Sequence, residues 1–382
     1  MNRLFKGSSH LIPYVNRITI KGQRVDYLHL RGATGFIGHC LNIRTLEVDA
    51  GWVGAWSAIS QDFVISNLKC VEKLVVKGNF PVERLKELLQ GLPVLSSVEL
   101  NQCYRSTPAL SNTTPAASTL RLQELGLSRI ESNDALLAFL TTAVDSSHLK
   151  ILKLAWLIGA PLESSTVQVL KKFVDMHGNH VKCLTLFGVS TSRSKSGMNH
   201  HCILHNLDTN AAAVGVSQLA EALTSLGNAQ ELTILMSLNI GMYYYSLLDT
   251  NVTVPIEPVA ALLSSMALTS LRNVIIKLAL RVDQMGSKEH WEAINSVLCA
   301  DQRFPNLLSV TLEVTLVYFT REYLLRSEAY EQPDFYVSEM TSQIHSCMPD
   351  LLSSGKLNAH VTISTGWEDR MLTNVNDPAT RW

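Results

Sequence analysis

Val71-Glu72-Lys73-Leu74-Val75-Val76 and, 24 positions on, Leu95-Ser96-Ser97-Val98-Glu99-Leu100 share one pattern, with apolar residues first, fourth and sixth. The short alternation at its end is the period-2 signal of a strand with one buried face. The pattern recurs at Val15-Ile18-Ile20, Ile43-Leu46-Val48, Leu122-Leu125-Leu127, Leu149-Leu152-Leu154, Val181-Leu184-Leu186, Leu271-Val274-Ile276 and Leu307-Val310-Leu312. Leu232-Leu235-Leu238 is read as a further copy, irregular at its last position. Ile20 to Val48 and Val48 to Val76 each span 28 residues, Val76 to Leu100 spans 24, Leu100 to Leu127 and Leu127 to Leu154 span 27 each, and Leu154 to Leu186 spans 32. Self-similarity at such a period means one supersecondary unit stacked on its neighbours, because no single unit buries its own apolar face.

Between the strand signatures lie amphipathic stretches. Pro81-Val82-Glu83-Arg84-Leu85-Lys86-Glu87-Leu88-Leu89 starts with a proline and places Val82, Leu85, Leu88 and Leu89 on one helical face. Similar stretches predict helices near 55–66, 133–145, 163–177, 213–226, 257–267, 287–300 and 335–353. Strand, turn, helix, turn at this period predicts an α/β leucine-rich-repeat-like solenoid: an irregular horseshoe with parallel strands on its concave side and helices outside. Residues 1–364 are assigned to the solenoid and 365–382 to a C-terminal tail whose main apolar residues are Trp367 and Trp382. After Leu186 the spacing widens, so insertions are expected at Gly188–Asn210, as also at Asn101–Thr119 and Leu316–Asp334.

Composition narrows the function. Hydrophobic residues make up 46% and charged residues 17% of the 382 residues, which leaves ample apolar surface for a core. Thirty-two basic against thirty-three acidic residues give a net charge of −1, with no basic field to gather phosphates, so nucleic acid is not expected as a partner. No apolar run approaches the roughly 18 to 20 residues of a membrane span, and the first residues lack the apolar segment of a signal peptide. No membrane partner is expected, and the location is expected to be intracellular, cytoplasmic or nuclear. The seven cysteines are scattered and odd in number, which reads as reduced thiols rather than a disulfide framework.

In each signature the third and fifth residues point away from the apolar ones, toward the concave side of a parallel sheet. That face carries the candidate protein-binding residues: Glu47, Lys73, Glu99, Glu124 and Lys153 for electrostatic matching, and Phe187, Ile234 and Met236 for buried area. The early part of the face reads as polar and of mixed sign, the later part as more apolar, so either an insertion or a protein partner covers the latter.

Chemistry-bearing motifs are weaker. Gly32-Ala33-Thr34-Gly35-Phe36-Ile37-Gly38 follows a strand-like run and resembles the phosphate-cradling loop of extended short-chain reductases, with Asp49 as the ribose-binding acid. An NAD(P)-dependent oxidoreductase is therefore the alternative reading. The next repeat begins at Leu41-Asn42-Ile43, which leaves no full helix after the loop, and no Tyr is followed four positions later by Lys. His200, His201, Cys202 and His205 cluster without a second ligand pair at zinc-finger spacing. Trp52 and Trp56 share helical spacing, which is more often packing than contact. Nucleophile-elbow, P-loop and His-Glu-x-x-His patterns do not occur. The expectation is a chain with no catalytic residues, no metal and no cofactor.

His10-Leu11-Ile12-Pro13-Tyr14-Val15-Asn16-Arg17-Ile18-Thr19-Ile20, followed by Leu41-Asn42-Ile43-Arg44-Thr45-Leu46-Glu47-Val48, resembles the start of the repeat region in fungal F-box proteins with degenerate leucine-rich repeats. The resemblance implies the substrate-recognition region of a ubiquitin ligase component, in which an N-terminal F-box recruits the Skp1 adaptor. No Leu-Pro-x-Glu segment or three-helix F-box is visible in this chain, so a Skp1-type adaptor is expected as a partner only where an F-box lies upstream. The asparagine ladder of regular repeats is also nearly missing, with Asn79 and Cys103 fitting while Gly51, Ile130, Leu157 and Val189 do not.

Overall fold

The computed structural model describes residues 14–21, 42–49, 65–78, 80, 82–101, 119–128, 134–158, 162–191, 209–239, 256–266, 268–282, 287–300, 302–317 and 333–364. Gly32–Gly38, Trp52, Trp56, the His200–His205 cluster and the 365–382 tail lie outside them. The chain groups into two compact units, Met1–Leu154 and Ala155–Trp382.

In the first unit the short strands β1 (Arg17–Lys21), β2 (Thr45–Asp49), β3 (Lys73–Lys77), β4 (Ser97–Asn101) and β5 (Glu124–Ser128) pair in chain order, all parallel. Helices α1 (Val82–Gly91) and α2 (Asp134–Ala143) follow β3 and β5. β6 (Ile151–Ile158) spans the boundary between the units. The second unit holds β7 (Cys183–Thr191), β8 (Glu231–Asn239), β9 (Asn273–Arg281), β10 (Ser309–Val317) and β11 (Leu357–Ser364), again parallel and in chain order. Its helices are α3 (Ser164–His177), α4 (Thr209–Ala222), α5 (Glu257–Ser265), α6 (Lys288–Leu298), α7 (Pro333–Cys347) and α8 (Pro349–Ser353). Successive helices pack on one another, α3 on α4, α4 on α5, α5 on α6 and α6 on α7, while α7 also packs on β11. The architecture is an α/β leucine-rich-repeat-like solenoid.

The repeat is locked at the start of each strand by one recurrent hydrogen-bond pattern. The carbonyl of the residue just before a strand accepts two backbone N–H groups from the next repeat. Asn16 receives Arg44 and Thr45, Arg44 receives Glu72 and Lys73, Glu72 receives Ser96 and Ser97, Ser96 receives Gln123 and Glu124, and Gln123 receives Lys150 and Ile151. The second unit repeats it, with Lys182 receiving Gln230 and Glu231, Gln230 receiving Arg272 and Asn273, and Arg272 receiving Leu308 and Ser309. Each donor would otherwise be an unpaired backbone group beside a core, so the pattern fixes register as well as satisfying it. Side chains strengthen it in two places: Asn228 donates to the Asn179 carbonyl at 3.0 Å, and Asn306 to the Thr269 carbonyl at 2.8 Å. Both asparagines stand three residues before their strands.

The core lies between sheet and helices. On α3, Val167, Leu170, Phe173, Val174 and His177 follow helical spacing and are buried. On α6 the same face is Trp291, Ile294, Asn295 and Leu298. In the first unit Leu85, Leu88 and Leu89 of α1 are wholly buried, and Lys86 places its ammonium 5.4 Å from the centre of the Phe139 ring on α2.

Two expectations from the sequence change. The eighth repeat is framed by Ala229, Leu232 and Ile234, not by Leu232, Leu235 and Leu238: Leu184 opposes Leu232 and Leu186 opposes Ile234 in the β7–β8 register. The turn confirms the frame, because Ala229 N–H donates to the Leu226 carbonyl as Leu271 does to Leu268 and Leu307 to Phe304. The second-unit strands also run past the six-residue signature. Gly188 to Thr191 extend β7, and Leu316 and Val317 extend β10, so the first residues assigned to two insertions belong to the sheet.

Candidate protein-binding surface

Strand alternation sends the core residues to the helix side and their neighbours to the opposite face, which is helix-free among the described residues. In the first unit the register sets that face in rows. One row runs Arg17, Thr45, Lys73, Ser97, Glu124, the next Thr19, Glu47, Val75, Glu99, Gly126, and a third holds Lys77 and Asn101. Glu47 in the middle row therefore has cations diagonally on both sides, and Glu99 has them on the β3 side.

The geometry uses this placement. Arg17 Nη2 donates to Glu47 Oε2 at 2.5 Å, Lys77 Nζ to Glu47 Oε1 at 2.8 Å, and Thr19 Oγ1 to Glu47 Oε2 at 3.3 Å. Lys73 Nζ donates to Glu99 Oε1 at 2.5 Å. Lys153 Nζ lies 2.5 Å from Glu124 Oε1, and Ser97 Oγ donates to Glu124 Oε2 at 3.2 Å. Burial by itself would raise the Glu47 carboxyl, but the hydrogen bonds and charges of Lys77 and Arg17 outweigh it and hold it at about 2. Glu124 is likewise lowered: burial opposes, while Lys153, Lys73 and Ser97 favour the carboxylate.

All five charged candidates thus come together, paired to one another or to neighbours on the same face. Their accessibility is unequal. The Glu47 side chain is 8% exposed beneath Arg17 at 40% and Lys77 at 36%, and Glu99 is 3% exposed beneath Lys73 at 29%. In these two clusters the cation is the more exposed member, whereas in the third pair Lys153 is 15% and Glu124 20% exposed. Arg17, which the sequence places on this face without naming it a contact candidate, and Lys77, which escaped the sequence reading, complete the Glu47 cluster. Lys77 stands one residue beyond the six-residue signature, and carrying the alternation on from Lys73 and Val75 would have found it.

The apolar candidates stand differently. Ile234 and Met236 were expected on the accessible face, but the frame of β8 turns both toward the helices, where Ile234 is 0% and Met236 1% exposed. Phe187 does lie on the helix-free face, yet it is only 4% exposed, in a cluster with Ala155 and Leu235. What the second unit presents is mainly half-buried and polar: Thr185, Thr233, Thr311 and the ion pair of Lys277 with Glu313 at 2.9 Å.

Among the described residues no group of three or more His, Cys, Asp or Glu is placed to hold a metal ion, and no helix is long and apolar enough to cross a membrane. Burial, then Glu231, raise the thiol pKa of Cys183, the cysteine at the start of β7, which disfavours its thiolate.

No protein-family model and no curated protein sequence matches this chain. Among solved structures it is similar to the leucine-rich repeat-containing protein LegL7 from Legionella pneumophila, at 13% identity and a TM-score of 0.41, over 87% of this chain and 98% of that one. It is also similar to a chain of the Rad7 and Elc1 complex in yeast, at 14% identity and a TM-score of 0.42, over 82% of each chain.

Proposed function

We propose that this chain is a non-catalytic protein-binding scaffold, and that the helix-free face of its first unit receives an acidic segment of a protein partner. One observation supports this reading: in the Glu47 and Glu99 clusters the carboxylates are nearly buried, while Arg17, Lys73 and Lys77 stay partly exposed. A fixed lattice is also preorganised, so a partner carboxylate meets cations already held in place. The resemblance to F-box leucine-rich-repeat proteins supports the finer proposal that the bound segment belongs to a ubiquitin ligase substrate, with Phe187, Ile234 and Met236 serving the fold rather than the contact.

The test exchanges the two members of one pair. Lys73→Glu together with Glu99→Lys keeps opposite charges side by side while turning a carboxylate outward. A fluorescent oligoglutamate peptide should bind the unaltered chain in a salt-dependent manner, and the exchanged variant should bind it about tenfold or more weakly. Equal binding by both, or a preference for an oligolysine peptide, would remove the proposal.

A further inference from the structure

β11 bonds to β10 along one edge, and among the described residues no strand lies along the other. Val310 N–H donates to the Lys356 carbonyl at 2.8 Å, which fixes which way the backbone of β11 faces. Successive residues of a strand alternate the direction of their amide groups, so even-numbered residues of β11 serve β10 and Leu357, Ala359, Val361 and Ile363 turn theirs outward. The same four side chains lie on the helix side, opposite Val310, Leu312, Val314 and Leu316. Those β10 residues are completely or almost completely buried, whereas their four β11 partners are only half-buried. Among the described residues, an apolar row and a row of amides without a strand partner therefore stop at one edge.

That edge lacks the usual protection. Leu357-Asn358-Ala359-His360-Val361-Thr362-Ile363-Ser364 contains no Lys, Arg, Asp, Glu or Pro, whereas β1 is five residues long and carries Arg17 and Lys21 at its ends. A long uncharged edge strand is a template for another strand. Its best match in alternation and neutrality is itself.

We infer that two copies of this chain associate by antiparallel pairing of their β11 strands about a two-fold axis through His360. This places Leu357 opposite Ile363, Ala359 opposite Val361 and Asn358 opposite Thr362, with His360 facing its own counterpart. Apolar side chains meet apolar ones on the helix side, and the outward amides of each copy bond those of the other. Centring the axis on Val361 instead sets Leu357 opposite Thr365, beyond the end of β11. The pairing continues the sheet without turning it over, which is the isologous contact a two-fold requires. A strand pair about 23 Å long, at about 3.3 Å per residue, and two layers deep at about 10 Å each covers roughly 460 Å² per copy. That is the small end of the interface range, so the association is reversible.

The experiment uses the full chain. Sedimentation velocity from about 1 to 200 μM should show a monomer passing to a dimer, as expected of a weak, reversible contact of small area. Val361→Lys puts a charge into the apolar pairing, and Val361→Pro removes an outward N–H without touching a bond to β10. Both should weaken dimerisation at least about tenfold while keeping the native circular dichroism spectrum. The axis is checked by His360→Cys: directly opposed residues of a non-hydrogen-bonded pair have Cα atoms about 4.5 Å apart, within disulfide range. Mild oxidation should cross-link this variant more than the unaltered chain or Asn358→Cys. A monomer at every concentration, a dimer indifferent to both Val361 variants, or cross-linking no greater than in Asn358→Cys would overturn the inference.

Discussion

Leu186 of β7 and Ile234 of β8 lie directly opposite each other in the parallel register, and this pairing puts Ile234 in the core. A residue whose local context allowed an outward assignment is committed inward by its neighbour strand, because a shift of one residue would turn every β8 side chain over.

Ile234→Ala should therefore cost about 2–4 kcal/mol and Ile234→Val about 1 kcal/mol, as expected for a cavity at a fully buried site. Met236→Ser and Phe187→Ser should also lower the urea midpoint. Midpoints within error of the unaltered chain for all of these would mean that the β8 frame is wrong.

Glu47 supplies a pH dependence with a definite sign. Its carboxyl is held at about 2 in the folded chain, below the roughly 4.3 of an unfolded glutamate, so the native state favours the deprotonated form. The stabilisation is complete above about pH 5 and is lost as pH falls toward 2. Discounted for solvent screening of the partly exposed Arg17 and Lys77, it amounts to about 1–2 kcal/mol. Glu47→Gln should lower the urea midpoint at pH 7, and the difference from the unaltered chain should shrink steadily by pH 3. A difference independent of pH would refute the ion-pair origin.

Asn295 ties α6 to α8. Its Nδ2 donates to Asp350 Oδ2 at 2.9 Å, and its Oδ1 accepts the Leu351 N–H at 3.4 Å. Asn295→Ala leaves a buried N–H without its acceptor and should cost about 1–3 kcal/mol. Asn295→Asp keeps an acceptor for Leu351 but faces the Asp350 carboxylate, so it should be rescued at low pH while Asn295→Ala is not. Thermal denaturation at pH 7 and pH 4 separates the two.

Gly355 joins α8 to β11 with a φ of +68°, in open space. The cost of a side chain there is conformational rather than steric crowding, so Gly355→Ala should destabilise by about 1–2 kcal/mol and Gly355→Asn by less. Gly178 is the opposite case. An added Cβ would meet Leu226 Cδ2 at 3.1 Å and the Ser225 carbonyl at 3.2 Å, so Gly178→Val should be disruptive through packing alone. Calorimetry of the three variants tests the contrast.

The sequence alone determined that strands and helices alternate, that the strands are parallel units of one repeat, and which residues of most repeats face the core. Those properties follow from local periodicity, which is set by backbone geometry within a few residues. The helices expected at 133–145, 163–177 and 287–300 correspond to Asp134–Ala143, Ser164–His177 and Lys288–Leu298 because their apolar spacing is long enough to be unambiguous. Only tertiary structure decided the frame of β8, where Leu232, Ile234, Leu235, Met236 and Leu238 offer apolar residues to both faces and register with β7 makes the choice. It also decided that Glu47, Lys73, Glu99, Glu124 and Lys153 pair with neighbours on their own face, and that Glu47 and Glu99 are more buried than their cations. Ion pairing between residues 26 to 30 apart depends on which strands stand side by side and on the reach of each side chain, and neither is written in any local stretch of the chain.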